Sequence, residues 1–149
     1  MTGNLKPAPG AFPADPRERK IALCRAALEL RLKGDIELAL GYFTEDARFD
    51  MVGNNAFNPF SGSVSGRPGI AEKLRMIHVA FEYSDLDPYL FVVEGDHLMA
   101  RFRGRVRNRG TGPSAAIEGI AHLTFEADRI CYFGIFLDTA AVARLSQFT

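Results

Sequence analysis

The stretch GIAHLTFEADRICYFGIFLDTAAVARL, residues 119–145, decides the fold. Together with Ile117 just before it, Ala121, Leu123 and Phe125 share one parity, while Glu118, His122 and Thr124 take the other. That period of two marks a strand with one buried face. A turn at Ala127-Asp128 leads into a second apolar strand, RICYFGIFL, and Asp138-Thr139 then opens a short helix, TAAVARLSQ. Two strands joined by a tight turn and closed by a helix end an α+β domain rather than a βαβ unit.

Upstream, HLMARFRGRVRN (97–108) alternates in the same way. Leu98, Ala100, Phe102 and Val106 mark its core side, and arginines at 101, 103, 105, 107 and 109 fall opposite. LDPYLFVVEG (86–95) turns into it at Gly95-Asp96, and the loop RGTGPS leaves it, so these strands form an antiparallel meander. The first third is helical. Asp15 caps, Pro16 suits the first position and Glu18 completes a capping-box variant. Ile21, Cys24, Leu28 and Arg31 then recur at helical spacing beside Leu23, Ala27 and Leu30. Gly34 ends that helix, and Asp35 caps a second with the stripe Ile36, Ala39, Leu40 and Phe43. ARFDMV (47–52) is a short strand, and a third helix over Pro68–Phe81 carries Ile70, Leu74, Ile77 and Phe81 on one face. His78, off that stripe, reads as a solvated surface residue.

The expected fold class is α+β: a curved, mostly antiparallel sheet wrapped around three N-terminal helices, a cone-shaped α+β barrel with a short C-terminal helix. Residues 1–14, rich in Pro, Gly and Ala without periodicity, read as a disordered lead, and residues 15–149 as a single domain. Between the first strand and the third helix, GNNAFNPFSGSVSG (53–66) reads as a loop. Its Phe57 and Phe60 either fold back over a pocket or plug one end of the core.

With 18 basic and 18 acidic side chains the chain has no net charge, so no global field favours nucleic acid or an anionic membrane. No uncharged apolar run is long enough to span a bilayer, and MTGNLKPAPGAFP lacks the pattern of a signal peptide. Two cysteines, Cys24 and Cys131, lie in apolar patterns on separate elements. They read as buried free thiols of a cytoplasmic protein, not as a disulfide or metal site; a Cys-His nucleophile lacks any local signature. No Gly-rich phosphate loop and no His/Cys/carboxylate cluster points to nucleotide, flavin or metal, so no cofactor is expected. The arginine row invites a nucleic-acid reading, but it lacks interleaved aromatics.

KGDIELALGYFTEDARFDMVG (33–53), SGRPGIAEKLRMI (65–77), EGDHLMARFRG (94–104) and FEADRI (125–130) follow in the order and spacing of the nuclear transport factor 2-like superfamily. Within it, residues 16–147 resemble most the SnoaL-like and ketosteroid isomerase-like branch. The resemblance implies a cone with an apolar pocket for a small apolar or polycyclic molecule. It also implies a homodimer through the outer sheet face, which would cover the arginine row and His122. If the protein is an enzyme, the resemblance implies a cofactor-free isomerase, cyclase or dehydratase.

Residue by residue, the isomerase chemistry is missing. The carboxylate base falls on Met51, with Asp50 one residue earlier and turned to the other face unless a bulge intervenes. The oxyanion-hole tyrosine falls on Ala27 and the late aspartate near Ala121. Asp138 stands where many SnoaL-like chains carry an aspartate, and a carboxylate at the rim of an apolar cone suits proton transfer. As a helix cap it would serve structure alone. Asp138 and then Asp50 are thus the acid–base candidates. Ala27, Arg31, Phe49, Met51, Phe57, Phe60, Ala121, Phe133 and Ile135 are the candidate ligand-binding residues. Arg31, on the buried side of its helix, must meet a carboxylate, a ligand anion or water. The alternative function is a non-catalytic ligand-binding or dimerisation domain that has lost the family's acids.

Overall fold

Local capping and side-chain alternation set the elements, and the computed structural model describes residues 12–146. α1 (Pro16–Leu32) begins where the Asp15 carboxylate accepts from the Glu18 amide at 2.9 Å. Leu23, Cys24 and Ala27 are its buried stripe. α2 (Ile36–Leu40) is a single short helix, and α3 (Arg67–Ala80) buries Ile70, Ala71, Leu74 and Ile77. Six strands follow or interleave: β1 (Phe43–Val52), β2 (Gly62–Ser65), β3 (Phe81–Glu94), β4 (His97–Asn108), β5 (Ser114–Glu126) and β6 (Arg129–Leu137). α4 (Thr139–Leu145) closes the described chain.

The strands form one sheet in the order β2-β1-β6-β5-β4-β3. Every neighbouring pair is antiparallel except β1 and β6, which run parallel. The α+β expectation therefore holds, with the late meander in the expected register. α1 to α3 and the inward residues of all the long strands make one core, in which Phe49, Leu98, Leu123 and Ile130 are fully enclosed.

The curvature has a local cause in β3. Ser84 pairs with Arg105 and Asp87 with Arg103, so Asp85 and Leu86 together oppose the single Gly104. Asp85 takes a positive φ of 54° in this bulge. A Cβ on Gly104 would lie 2.9 Å from Leu86 Cα, so only glycine lets β3 fold in this closely. Leu86 is thereby turned toward the interior.

Several boundaries differ from the sequence reading. Phe43 and Phe81 open strands instead of closing helices, because each is core-facing at an element junction where helical and strand periods agree. Part of the 53–66 loop is the edge strand β2, paired with Arg48–Met51. Its composition of Gly and Ser hides it. Of the proposed lead, residues 1–11 lie outside the described residues, and Phe12 is anchored. Its ring packs edge-on against Tyr42 at 6.4 Å, and Arg19 donates to the Phe12 and Pro13 carbonyls. One large ring is enough to hold that end of the lead on the core. Gln147, placed in the last helix, also lies outside the described residues.

Candidate functional site

Between α1 and the inner face of the sheet lies an apolar hollow of about 80 Å³. Its existence follows from side-chain size. Ala27 on α1, Ala100 on β4 and Ala121 on β5 contribute a single methyl each to its wall, and Ala100 and Ala121 are register partners. Met51, Phe133 and Ile135 complete the side formed by β1 and β6, and Arg31 lines the end near the C-terminus of α1. Thus six of the expected ligand-binding residues, Ala27, Arg31, Met51, Ala121, Phe133 and Ile135, line one hollow.

The remaining three do not. Phe49 is fully buried behind the wall and stacks on Phe133, centroids 5.2 Å apart, which fixes that ring from outside the hollow. Phe60 covers a second hollow of about 30 Å³, partitioned from the first by Met51, Tyr83, Ile117 and Leu137. There it packs edge-on against Phe81 at 5.8 Å, while the buried Asn58 amide donates to Met51 Sδ at 3.1 Å. Phe57 is 55% exposed and lines neither hollow.

The polar part of the wall comes from a residue that sequence reasoning missed. Tyr83, early in β3, lines both hollows and a polar cleft of about 150 Å³ behind them. The Arg31 guanidinium carbon stands 5.5 Å from the Tyr83 ring centroid and borders the first hollow and the same cleft. Burial pushes the Tyr83 phenol above its ordinary range, opposed by the charge and hydrogen bonding of Arg31. The phenol therefore remains a neutral proton donor at physiological pH. The signal in the sequence was the parity shared by Phe81 and Tyr83, which the bulge at Asp85 then interrupts.

Neither acid–base candidate reaches the hollow. Asp138 is exposed, and its Oδ1 accepts from the Ala140 and Ala141 amides at 3.0 and 3.3 Å as the N-cap of α4. It borders an open surface groove on the far side of Leu86 and Ile117. Replacing Asp138 with Ala is expected to cost about 1 kcal/mol through loss of the cap, read from denaturant midpoints. An unchanged midpoint would show that α4 does not need it. Asp50 lies on the outer face, since Phe49 and Met51 take the inner one and no bulge intervenes between them. Its Oδ2 accepts from the Tyr132 hydroxyl at 3.3 Å.

Both cysteines are free. Cys24 lines the hollow, and desolvation pushes its thiol up to about 12; Cys131 is also raised but partly exposed, with Sγ donating to the Thr124 carbonyl. Since the thiolate is the reactive species, alkylation of the folded protein is expected to modify Cys131 first and Cys24 only on unfolding. Mass spectrometry of a labelling time course checks this, and early modification of Cys24 would contradict a desolvated thiol there. Among the described residues no three His, Cys, Asp or Glu side chains are placed to hold a metal, and no helix is long and apolar enough to cross a membrane.

The outer face of the sheet is mixed. Arg101, Arg103, Arg105 and Arg107 share the face opposite the core, but Arg109 lies past the strand end, donating to the His78 and Phe81 carbonyls. The row is partly charge-compensated within the chain. Arg107 pairs with Glu82 at 2.9 Å, Arg101 with Glu118 at 3.8 Å, and Arg101 and Arg103 stand over the Tyr89 ring. Beside it runs a register row of exposed apolar side chains, Leu90, Ile120, Phe136 and Val52, broken only by Arg101. His97 and His122 share a 3.0 Å ring-nitrogen contact on the same face.

The family model for the SnoaL-like domain matches residues 24–133. Among solved structures, a nuclear transport factor 2-like protein of unknown function from Burkholderia pseudomallei superposes with a TM-score of 0.77. It is 22% identical, covering 85% of this chain and 95% of that one. TerC, crystallised with polyporic acid, gives a TM-score of 0.74 at 20% identity, over 85% and 96% of the two chains. A protein of Xanthomonas campestris described as a candidate polyketide cyclase gives 0.67 at 19% identity, over 85% and 98%. No curated protein sequence matches the chain.

Proposed function

Because the chain belongs to the SnoaL-like domain family of the nuclear transport factor 2-like superfamily, we propose that it binds one small apolar molecule in the hollow between α1 and the sheet, without transforming it. The observation that carries this reading is the wall itself, where Ala27, Met51, Ala100 and Ala121 leave an apolar space. Arg31 and Tyr83 supply a cation and a proton donor, but no carboxylate or imidazole lines the hollow to act as base. Proton-transfer catalysis through Asp138 is set aside for the same reason, since that carboxylate is spent on a helix cap in solvent.

Size narrows the ligand. A cavity of roughly 150 Å³ takes up benzene, and the main hollow is smaller. Met51, unbranched and flexible, stands between the two hollows, so its rotation joins them. The joined space is still below that volume, so the largest apolar body it takes is a short alkyl chain, or a single ring admitted as the flexible Met51 side chain moves aside. The polycyclic ligand expected from the resemblance is too large for these walls. TerC shares the fold and was crystallised with polyporic acid, which supports a small-molecule role for the cone without identifying this chain's ligand.

Titration with 3-phenylpropan-1-ol, followed by methyl NMR, tests the reading. The methyl groups of Ala27, Met51, Ala121 and Ile135 are expected to shift together and saturably. Shifts confined to outer-face methyl groups, or none, would overturn it.

The assembly proposed is a homodimer through the outer sheet face. The exposed row Leu90, Ile120, Phe136 and Val52 gives that face an apolar centre flanked by charge-paired arginines, a surface two copies can share about a two-fold axis. Light scattering at micromolar concentration is expected to give twice the 16.4 kDa chain mass, falling to the chain mass in Ile120→Glu. A wild-type monomer refutes it.

A further inference from the structure

Arg31 is the one guanidinium that borders the apolar hollow, and its circumstances constrain what enters. Among the described residues it has no carboxylate within ion-pair distance, and Tyr83 is its partner. The acid that shares its cleft is already taken. Glu82, in the same polar cleft, is held by Arg107 at 2.9 Å and by Arg109 at 3.6 Å. Arg109 is engaged further by the His78 and Phe81 carbonyls, and its amide donates to Ala80. His78, the other titratable group there, lies with its ring against Gly34. The cleft therefore offers one uncompensated cation. It opens beside an apolar hollow and has a phenolic hydroxyl at the junction.

A half-buried guanidinium without a counter-charge is costly unless something anionic or water completes it. Its planar fork matches a carboxylate with two parallel N–H···O bonds. One free cation fits one negative charge, and the Glu82 carboxylate nearby disfavours a dianion such as a phosphate monoester. The Tyr83 hydroxyl, hydrogen-bonded with Arg31, is a second donor beside that fork.

Resting on the reading that the hollow binds a small apolar molecule, we propose that the ligand is a monocarboxylate. Its ring or short chain fills the space beside Ala27 and Ala121, and its carboxylate is held by Arg31 and Tyr83. Apolar contact supplies the depth of binding, while the carboxylate sets orientation and selects acids over their neutral counterparts. Arg31 and Tyr83 are thus specificity-determining residues.

The test compares 3-phenylpropanoate with 3-phenylpropan-1-ol by isothermal titration calorimetry. These two probes share the apolar body and differ in the charged end. Wild-type protein is expected to bind the acid about tenfold or more tightly than the alcohol, the usual advantage of hydrogen bonds to a charged group. Arg31→Met, which keeps the apolar stem, should erase that preference. Arg31→Lys should restore part of it, and Tyr83→Phe should lower acid affinity several-fold. Equal binding of acid and alcohol by the wild type would overturn the carboxylate assignment while leaving the apolar site standing. That comparison needs no variant to fold. Binding of neither probe would overturn the apolar-site reading, and this inference with it. An acid preference that persists in a folded Arg31→Met protein would also overturn the assignment, by placing the anion elsewhere.

Discussion

Asn108→Ala is expected to lower stability by about 3 kcal/mol, and so the melting temperature by roughly 6–12 °C. Asn108 ends β4 fully buried, and its side chain makes three hydrogen bonds. Nδ2 donates to the Leu145 carbonyl at 2.6 Å; Oδ1 accepts from the Gly110 and Thr111 amides at 2.9 and 3.2 Å. One amide group thereby shapes the loop from β4 to β5 and pins the last turn of α4 to the sheet. Truncation lets the two loop amides turn to water at small cost, but it strands the helix carbonyl in a buried place and leaves a void. Asn108→Asp sharpens the test. It keeps the acceptors, removes the donor and sets a negative charge against a carbonyl, so it should be no more stable than the alanine variant. Hydrogen exchange should speed up at Gly110, Gly112 and Ser146 before it does in the central strands. A melting temperature within about 2 °C of wild type would mean that neither the loop nor α4 depends on this residue.

Asn108 was not visible as a special position in the sequence, and the reason is general. Its parity on β4 put it with the inward residues Phe102 and Val106, but alternation reports burial, not the bonds of a buried polar group. The same limit separates what was legible from what was not. β6 read as a strand from its apolar run despite a shift against β5 between Thr124 and Phe125. Strands β4 and β5 read correctly because each buries one face against the core, so period two survives intact. β3 did not, since its pairing with β4 shifts twice, between Ser84 and Asp87 and again between Pro88 and Leu90. Each shift reverses the inward parity, which hid Tyr83 among residues that read as a helix end and a linker.

The site was half legible for a related reason. The resemblance in motif order singled out Ala27, Met51 and Ala121, and those three do line one hollow. The acids were chosen by position along the chain, without the third dimension that decides access. Asp138 stood one residue before a helix, where capping by its carboxylate satisfies two amides at once. Asp50 stood one residue off the inward parity and lies against Tyr132 on the outer face. Arg31 was singled out because a charge on an apolar stripe needs a partner, but Tyr83 as that partner required the bulge to be known.

Ala121→Leu is expected to weaken 3-phenylpropan-1-ol binding at least about a hundredfold while leaving the fold as stable as wild type or more so. Enlarging a residue in a packed core ordinarily costs roughly 1–3 kcal/mol, because neighbours must leave their rotamers. Ala121 is different. Its methyl group faces the hollow between Ala100 and Ile135, its register partners on β4 and β5's other neighbour β6, so a longer side chain has somewhere to go. Each methylene that fills the void gains close to 0.8 kcal/mol of burial without displacing protein, and the same atoms remove the volume a ligand ring would occupy. Ala47 supplies the contrast. It is equally small and completely buried on β1, but it lines neither of the two hollows. Ala47→Leu should therefore destabilise by the ordinary overpacking cost and, where folded, leave ligand affinity nearly unchanged. Comparing the two variants by melting temperature and calorimetry separates an open space from a solid core. If both lose stability alike, the space beside Ala121 is filled, and a binding function for this wall has no physical basis.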